Sequence, residues 1–107
     1  MQKNEWHVVT EFEKKIAEFF GAPYVVATDC CTNALELCLR LEKNKKSKEV
    51  KSITVPFNTY ISVPNMLIKN NWRFQWGDVR WHEYYYLTKE TIDAAVHWRK
   101  NGYVPGT

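Results

Sequence analysis

Two short apolar runs, each broken by a turn and followed by a helical pattern, constrain this chain more than any other feature. Tyr24-Val25-Val26-Ala27-Thr28 is a continuous, β-branched-rich stretch of the kind that forms a strand covered on both faces. Asp29 to Thr32 turns the corner, and from Thr32 to about Leu41 the residues Ala34, Leu35, Leu37, Cys38, Leu39 and Leu41 make the wide apolar stripe of a helix packed on a sheet. The second run, Ser52-Ile53-Thr54-Val55, is halted by Pro56 and followed by a helical segment from Thr59 to Lys69. Pro64 is compatible with that helix if it lies in the first turn, where backbone N–H groups have no intrahelical partner. A third strand is predicted over Trp72 to Val79, and a helix-like stretch over Thr91 to Arg99.

Upstream, Thr10-Glu11-Phe12-Glu13 has the form of a capping box, and Phe12, Ile16, Phe19 and Phe20 recur at helical spacing until Gly21 supplies a stop. Helix, strand, helix, strand, helix, strand is the order of an α/β fold with mainly parallel strands and right-handed crossovers. The chain has 107 residues and no repeat or linker, so it reads as one piece of one domain, able to bury roughly 60 to 70% of the surface its unfolded form exposes.

Composition narrows the function classes. An apolar fraction of 45% with 25% charged residues is that of an ordinary globular protein. The net charge of +3 comes largely from Lys43, Lys45, Lys46, Lys48 and Lys51 in one polar stretch. Such a run is expected to be a solvated loop rather than a nucleic-acid surface, which would spread charge along a face between stacking aromatics. Aromatic residues make up 15% of the chain, many between Trp72 and Trp98, where an incomplete core or a missing partner would leave them exposed. Three cysteines, with Cys30 and Cys31 adjacent, do not suggest a disulfide framework, and a reducing, cytoplasmic setting is expected. No apolar stretch after Met1 has the form of a leader, and no run approaches the roughly 18 to 20 residues of a membrane span.

Three positions bear on chemistry. A strand that enters a tight turn and then a helix puts free N–H groups and the positive helix end at one spot, where a phosphate binds. Thr32 sits there in the stretch VVATDCCTNALELCL, either as an ordinary N-cap or as a ligand of phosphate oxygen. Tyr60 follows the carboxyl end of the next strand in VPFNTY, at the sheet edge where α/β ligand sites form; it either packs in the core or stacks on a flat ring. Cys30 and Cys31 read as a metal or redox pair only weakly, because adjacent thiols lack the CxxC spacing.

Together, EFEKKIAEFFGAPYVVATDCCTNALELCLR and ITVPFNTYISVPNMLIKNNWRFQWGDV resemble the opening of the DegT-type sugar aminotransferases, in register over roughly residues 8 to 79. The resemblance implies the N-terminal part of a three-layer α/β/α large domain that binds pyridoxal 5'-phosphate (PLP). It implies that Cys30-Cys31-Thr32 occupy the family's Ser-Gly-Thr turn, whose amides and Thr hydroxyl hold the PLP phosphate. Cys31 stands where the family has Gly, which is harmless in helical backbone and strained if a positive φ is needed. Tyr60 matches the aromatic over the pyridine ring, and Asn65-Met66 the helix after it. Thr91-Ile92-Asp93-Ala94-Ala95-Val96 fits two registers: the family's Glu-Asp-Ala-Ala motif, in which Asp93 bonds the pyridine nitrogen, or an earlier surface helix in which Asp93 is merely solvated. A turn at GYVPGT fits either. The resemblance further implies a homodimer, and for the full-length enzyme an amino-acid donor and a nucleotide-linked keto sugar. No lysine here matches the family's Schiff-base lysine, so no catalytic residue is assigned and the chain is expected to be inactive alone. A self-associating or partner-binding α/β module is the alternative.

Overall fold

The computed structural model describes residues 5–46 and 52–107. Helix α1 runs His7–Phe20, α2 Cys31–Lys46, strand β1 Ile53–Pro56, α3 Ser62–Lys69, β2 Phe74–Gly77, β3 Tyr85–Tyr86 and β4 Ile92–Asp93. β1 and β2 pair in parallel, Ile53 opposite Phe74 and Pro56 opposite Gly77. Glycine is needed at that end of the ladder, since a Cβ on Gly77 would come within 2.7 Å of the Thr54 methyl. β3 and β4 form a small antiparallel hairpin, which the Thr54 N–H joins to β1 by donating to the Leu87 carbonyl at 3.1 Å.

The core lies where α2 and α3 meet these strands: Leu35 and Leu39 from α2, Ile53 and Val55 from β1, Val63, Met66 and Leu67 from α3, and Tyr85 and Leu87 from the hairpin. Pro64 is buried in the first turn of α3, the one part of a helix that tolerates it. Polar ties fix α2 on α3: Asn70 Nδ2 donates to Glu36 Oε1 at 2.8 Å, and Arg40 Nη2 to Asn70 Oδ1 at 2.9 Å. Glu42 is buried and accepts the hydroxyls of Thr88 and Thr91 on one oxygen, at 2.8 and 2.6 Å, tying α2 to the hairpin.

Several expectations are corrected. The capping box does not form: α1 starts at His7, the Thr10 hydroxyl donates back to the Trp6 carbonyl, and the Glu13 carboxylate is taken by the Ala27 N–H at 2.8 Å. The stop at Gly21 holds, with φ at 68° and the Ala22 N–H returning to the Ala17 carbonyl. Residues 24–28 are not a strand: among the described residues no strand pairs with them, the Ala27 N–H being taken by Glu13 of α1 instead, and Tyr24 and Val26 are exposed. α2 runs on through Lys46, so Lys43 and Lys45 lie on its last turns, where cations suit the helix dipole, and Lys48 and Lys51 lie outside the described residues.

No helix forms over Thr91 to Arg99. Thr91 and Asp93 are both buried with Ile92 less so, which is the two-residue period of a strand, and the chain then turns away from the sheet. Trp98 instead packs on the end of α1, stacked on Phe19 at 5.4 Å and edge-on to Phe20 at 4.9 Å. Beside it, the N–H groups of Asn101 and Tyr103 satisfy the Phe19 and Phe20 carbonyls at the helix end. Among the described residues, no helix is long and apolar enough to cross a membrane.

Candidate functional site

The site forms where the start of α2, the loop after β1 and the β4 end converge. The Cys30 carbonyl accepts the first helical bond of α2, from Ala34 at 3.1 Å, which makes Cys31 and Thr32 the first two helical residues. The turn before them is held by Asn33 Nδ2 on Asp29 Oδ1 at 2.7 Å and by the Thr28 hydroxyl on the Cys30 carbonyl at 2.9 Å. Thr32 is therefore not the N-cap: its hydroxyl points across to α3 and donates to Ser62 Oγ at 2.9 Å, bringing two helix starts together. Among the described residues the side-chain-bearing positions with positive φ are Ser52, Asn71 and Asn101, so Cys31 sits in ordinary helical backbone without strain.

Tyr60 is 78% exposed, which removes the core-packing reading. Its ring borders an open cleft of about 360 Å³ with Asn58, Thr59, Trp81, Asp93 and Val96. Asp93 is buried, contrary to a solvated place on a surface helix. Its Oδ2 accepts the Tyr85 hydroxyl at 2.7 Å, and its Oδ1 accepts the Ala95 N–H at 3.3 Å and the Cys31 thiol at 3.6 Å. With Tyr85 donating to the carboxylate, the Thr59 hydroxyl, 2.6 Å away, donates to Tyr85. A three-member relay thus runs from the loop after β1 to Asp93.

All four positions singled out by the sequence are thereby drawn into one neighbourhood, Cys31 directly on Asp93 and Tyr60 beside it on the cleft. Tyr85, Thr59, Ser62 and Trp81 were not singled out. For Tyr85 the available signal was its odd place in Tyr84-Tyr85-Tyr86, of which it alone is buried.

The surroundings act on two of these groups. Burial, then the contact with Asp93, pushes the Tyr85 hydroxyl above its ordinary range. Cys31 is exposed as a residue, yet its sulfur sits against Asp93; desolvation first, and the carboxylate's charge and hydrogen bond next, push the thiol up from 9.0 to about 11. A raised value means the fold holds this proton more tightly than the unfolded chain. Its contribution to stability is complete below about pH 9 and fades as pH rises towards 11. At pH 8 Cys31 should present roughly one hundredth of an unperturbed thiol's thiolate, so its alkylation should be about a hundredfold slower than that of a model thiol. Peptide mapping after timed iodoacetamide treatment measures this, and labelling of Cys31 at the model rate would contradict it.

A model of the DegT/DnrJ/EryC1/StrS aminotransferase family matches residues 3–105. The chain belongs to this family. The match reaches beyond residue 79 and takes in the aromatic segment and Asp93. Comparison with curated proteins and with solved structures finds no match. Aminotransferases of this family generally depend on PLP, so the donor set can be weighed against that group. A helix start with a hydroxyl beside it suits a phosphate, and an exposed tyrosine ring suits a flat heterocycle. A carboxylate offers about four acceptor positions, of which three are used at Asp93, leaving one for a protonated ring nitrogen. The residues present fit the group.

Proposed function

We propose that this chain is the N-terminal part of a PLP-dependent aminotransferase acting on nucleotide-linked keto sugars, with its segments belonging to the three-layer α/β/α large domain of one such unit. The observation that carries the proposal is the contact of Cys31, at the start of α2, with Asp93 on the cleft that Tyr60 borders. The N–H groups of the first turn of α2 attract and orient the phosphate, and the Thr32 hydroxyl joins them by turning its proton from Ser62 Oγ to a phosphate oxygen. Tyr60 offers its exposed face to the ring. Asp93, held by Tyr85 and Ala95, keeps a proton on the ring nitrogen. PLP, when bound, supplies the electron sink through which an amino group is moved.

The covalent step needs a positioned amine, and no lysine lines the cleft among the described residues. We therefore infer that the chain does not transaminate alone. Incubated with PLP, glutamate and a keto-sugar nucleotide, it should give no amino sugar by mass spectrometry; steady product formation would contradict this.

A homodimer in a reducing, cytoplasmic setting completes the proposal. The exposed apolar residues Val8 and Phe12 on α1, with Tyr24 and Val26 after it, favour association. The same residues support the second reading, a self-associating module without catalysis. In sedimentation velocity the chain should run as a dimer at micromolar concentration. A monomer at every concentration would remove both the dimer and the module.

A further inference from the structure

The Asp93 carboxylate is filled on one oxygen and half open on the other. Oδ1 accepts two donors, the Ala95 N–H at 3.3 Å and the Cys31 thiol at 3.6 Å, which occupy both of its lone pairs. Oδ2 accepts the Tyr85 hydroxyl at 2.7 Å and keeps the one position that remains. The three donors come from separate parts of the chain: Cys31 from the first turn of α2, Tyr85 from β3 and Ala95 from the turn after β4. A donor on a ligand that reaches Asp93 therefore meets Oδ2, the oxygen that the Thr59 and Tyr85 hydroxyls already feed.

Both side-chain donors hold their protons. Burial first, with Asp93 adding to it, pushes the Cys31 thiol up to about 11 and the Tyr85 hydroxyl above its ordinary range, so each stays a donor at neutral pH. Tyr60 is the other titratable side chain of the cleft, and no lysine, arginine or histidine lines it among the described residues. Asp93 is thus governed by Cys31, Tyr85 and the Ala95 N–H, with no cation beside it. Each donor on a carboxylate draws charge from it and weakens its hold on a further proton. Cys31 also spans the site: its backbone opens α2, where the phosphate is placed, while its sulfur reaches the carboxylate.

We propose that Cys31 and Tyr85 are positioning residues that act through Asp93: Cys31 closes Oδ1 and so confines the cofactor's ring nitrogen to Oδ2, and Tyr85 loosens the hold of Oδ2 on that nitrogen's proton. The inference rests on the proposed function for the placement of the ring nitrogen against Asp93.

The probe is pyridoxamine 5'-phosphate labelled at its ring nitrogen, bound at saturation and titrated with base. The nitrogen chemical shift reports the pH at which the ring loses its proton, a readout that a purely structural role would not move. Tyr85→Phe should raise that midpoint by about one pH unit, and Cys31→Ala by about half a unit, sulfur being the weaker donor. Cys31→Ser restores a donor and should return the midpoint to the wild-type value. Cys31 is exposed, so the Cys31 variants decide the matter even if Tyr85→Phe fails to fold, which circular dichroism verifies. Without ligand, Asp93→Asn should speed the alkylation of Cys31, because the charge that opposes its thiolate is gone. A midpoint left in place or lowered by Cys31→Ala, or a Cys31 alkylation rate indifferent to Asp93→Asn, would overturn this inference and leave the proposed function standing. Absence of pyridoxamine 5'-phosphate binding by the wild-type chain would overturn both.

Discussion

Asp93→Ala should lower the unfolding free energy by about 3 kcal/mol, because it deletes the acceptor of a buried, charge-assisted hydroxyl bond together with two further contacts. Tyr85 would keep the Thr59 hydroxyl, 2.6 Å away, as a partner, but it would exchange a charged acceptor for a neutral one beside the space the carboxylate vacates, which is the costly part of such a deletion. Asp93→Asn keeps one acceptor oxygen for Tyr85 and should cost less, about 1 kcal/mol. Urea denaturation measures both. A loss from Asp93→Ala no larger than that of an exposed-residue substitution would show that Asp93 is not held as described.

Leu39→Ala is the second large effect. Leu39 is fully buried among residues of α3, β1 and the hairpin, and a buried leucine reduced to alanine costs about 2–5 kcal/mol through lost transfer energy and the cavity left behind. For this chain about 3 kcal/mol is expected, a large share of the 5–15 kcal/mol that ordinary domains possess. Leu41→Ala, two residues on but 67% exposed, should stay within about 0.5 kcal/mol. Equal losses at both positions in urea denaturation would contradict the face that α2 buries.

That pair of leucines shows that an apolar stripe does not by itself say which of its residues are covered. The stripe from Ala34 to Leu41 identified the helix correctly, but it was wide enough to suit burial on two sides. Among the described residues Leu35, Leu39 and Glu42 are buried on α2, while Leu37 and Leu41 are exposed. Periodicity reports which residues are apolar, not how many neighbours come to cover them. Residues 24–28 teach the same lesson for strands: a β-branched run becomes a strand only with a ladder partner.

Local signals fared better where a backbone constraint acts alone. Gly21 ends α1 because its left-handed conformation favours glycine, and Pro64 sits where its missing N–H costs nothing. Thr91 to Arg99 departs from the predicted helix: Ile92-Asp93-Ala94-Ala95-Val96 has helical composition, but the burial of Thr91 and Asp93, held by Glu42 and Cys31 of α2, decides for a strand. No spacing rule links Cys31 to Asp93 or Thr59 to Tyr85, since these pairs exist only once the loops have been folded together.

As proposed, α2's first turn, Tyr60 and Asp93 hold one phosphate-bearing pyridine ring. Calorimetric titration with pyridoxamine 5'-phosphate tests it most directly, because that form has no aldehyde to label surface lysines. Saturable binding of one ligand per chain is expected, weakened about tenfold in Tyr60→Ala, whose exposed side chain contributes stacking rather than stability. No binding at millimolar concentration, or binding indifferent to Tyr60→Ala, would contradict it.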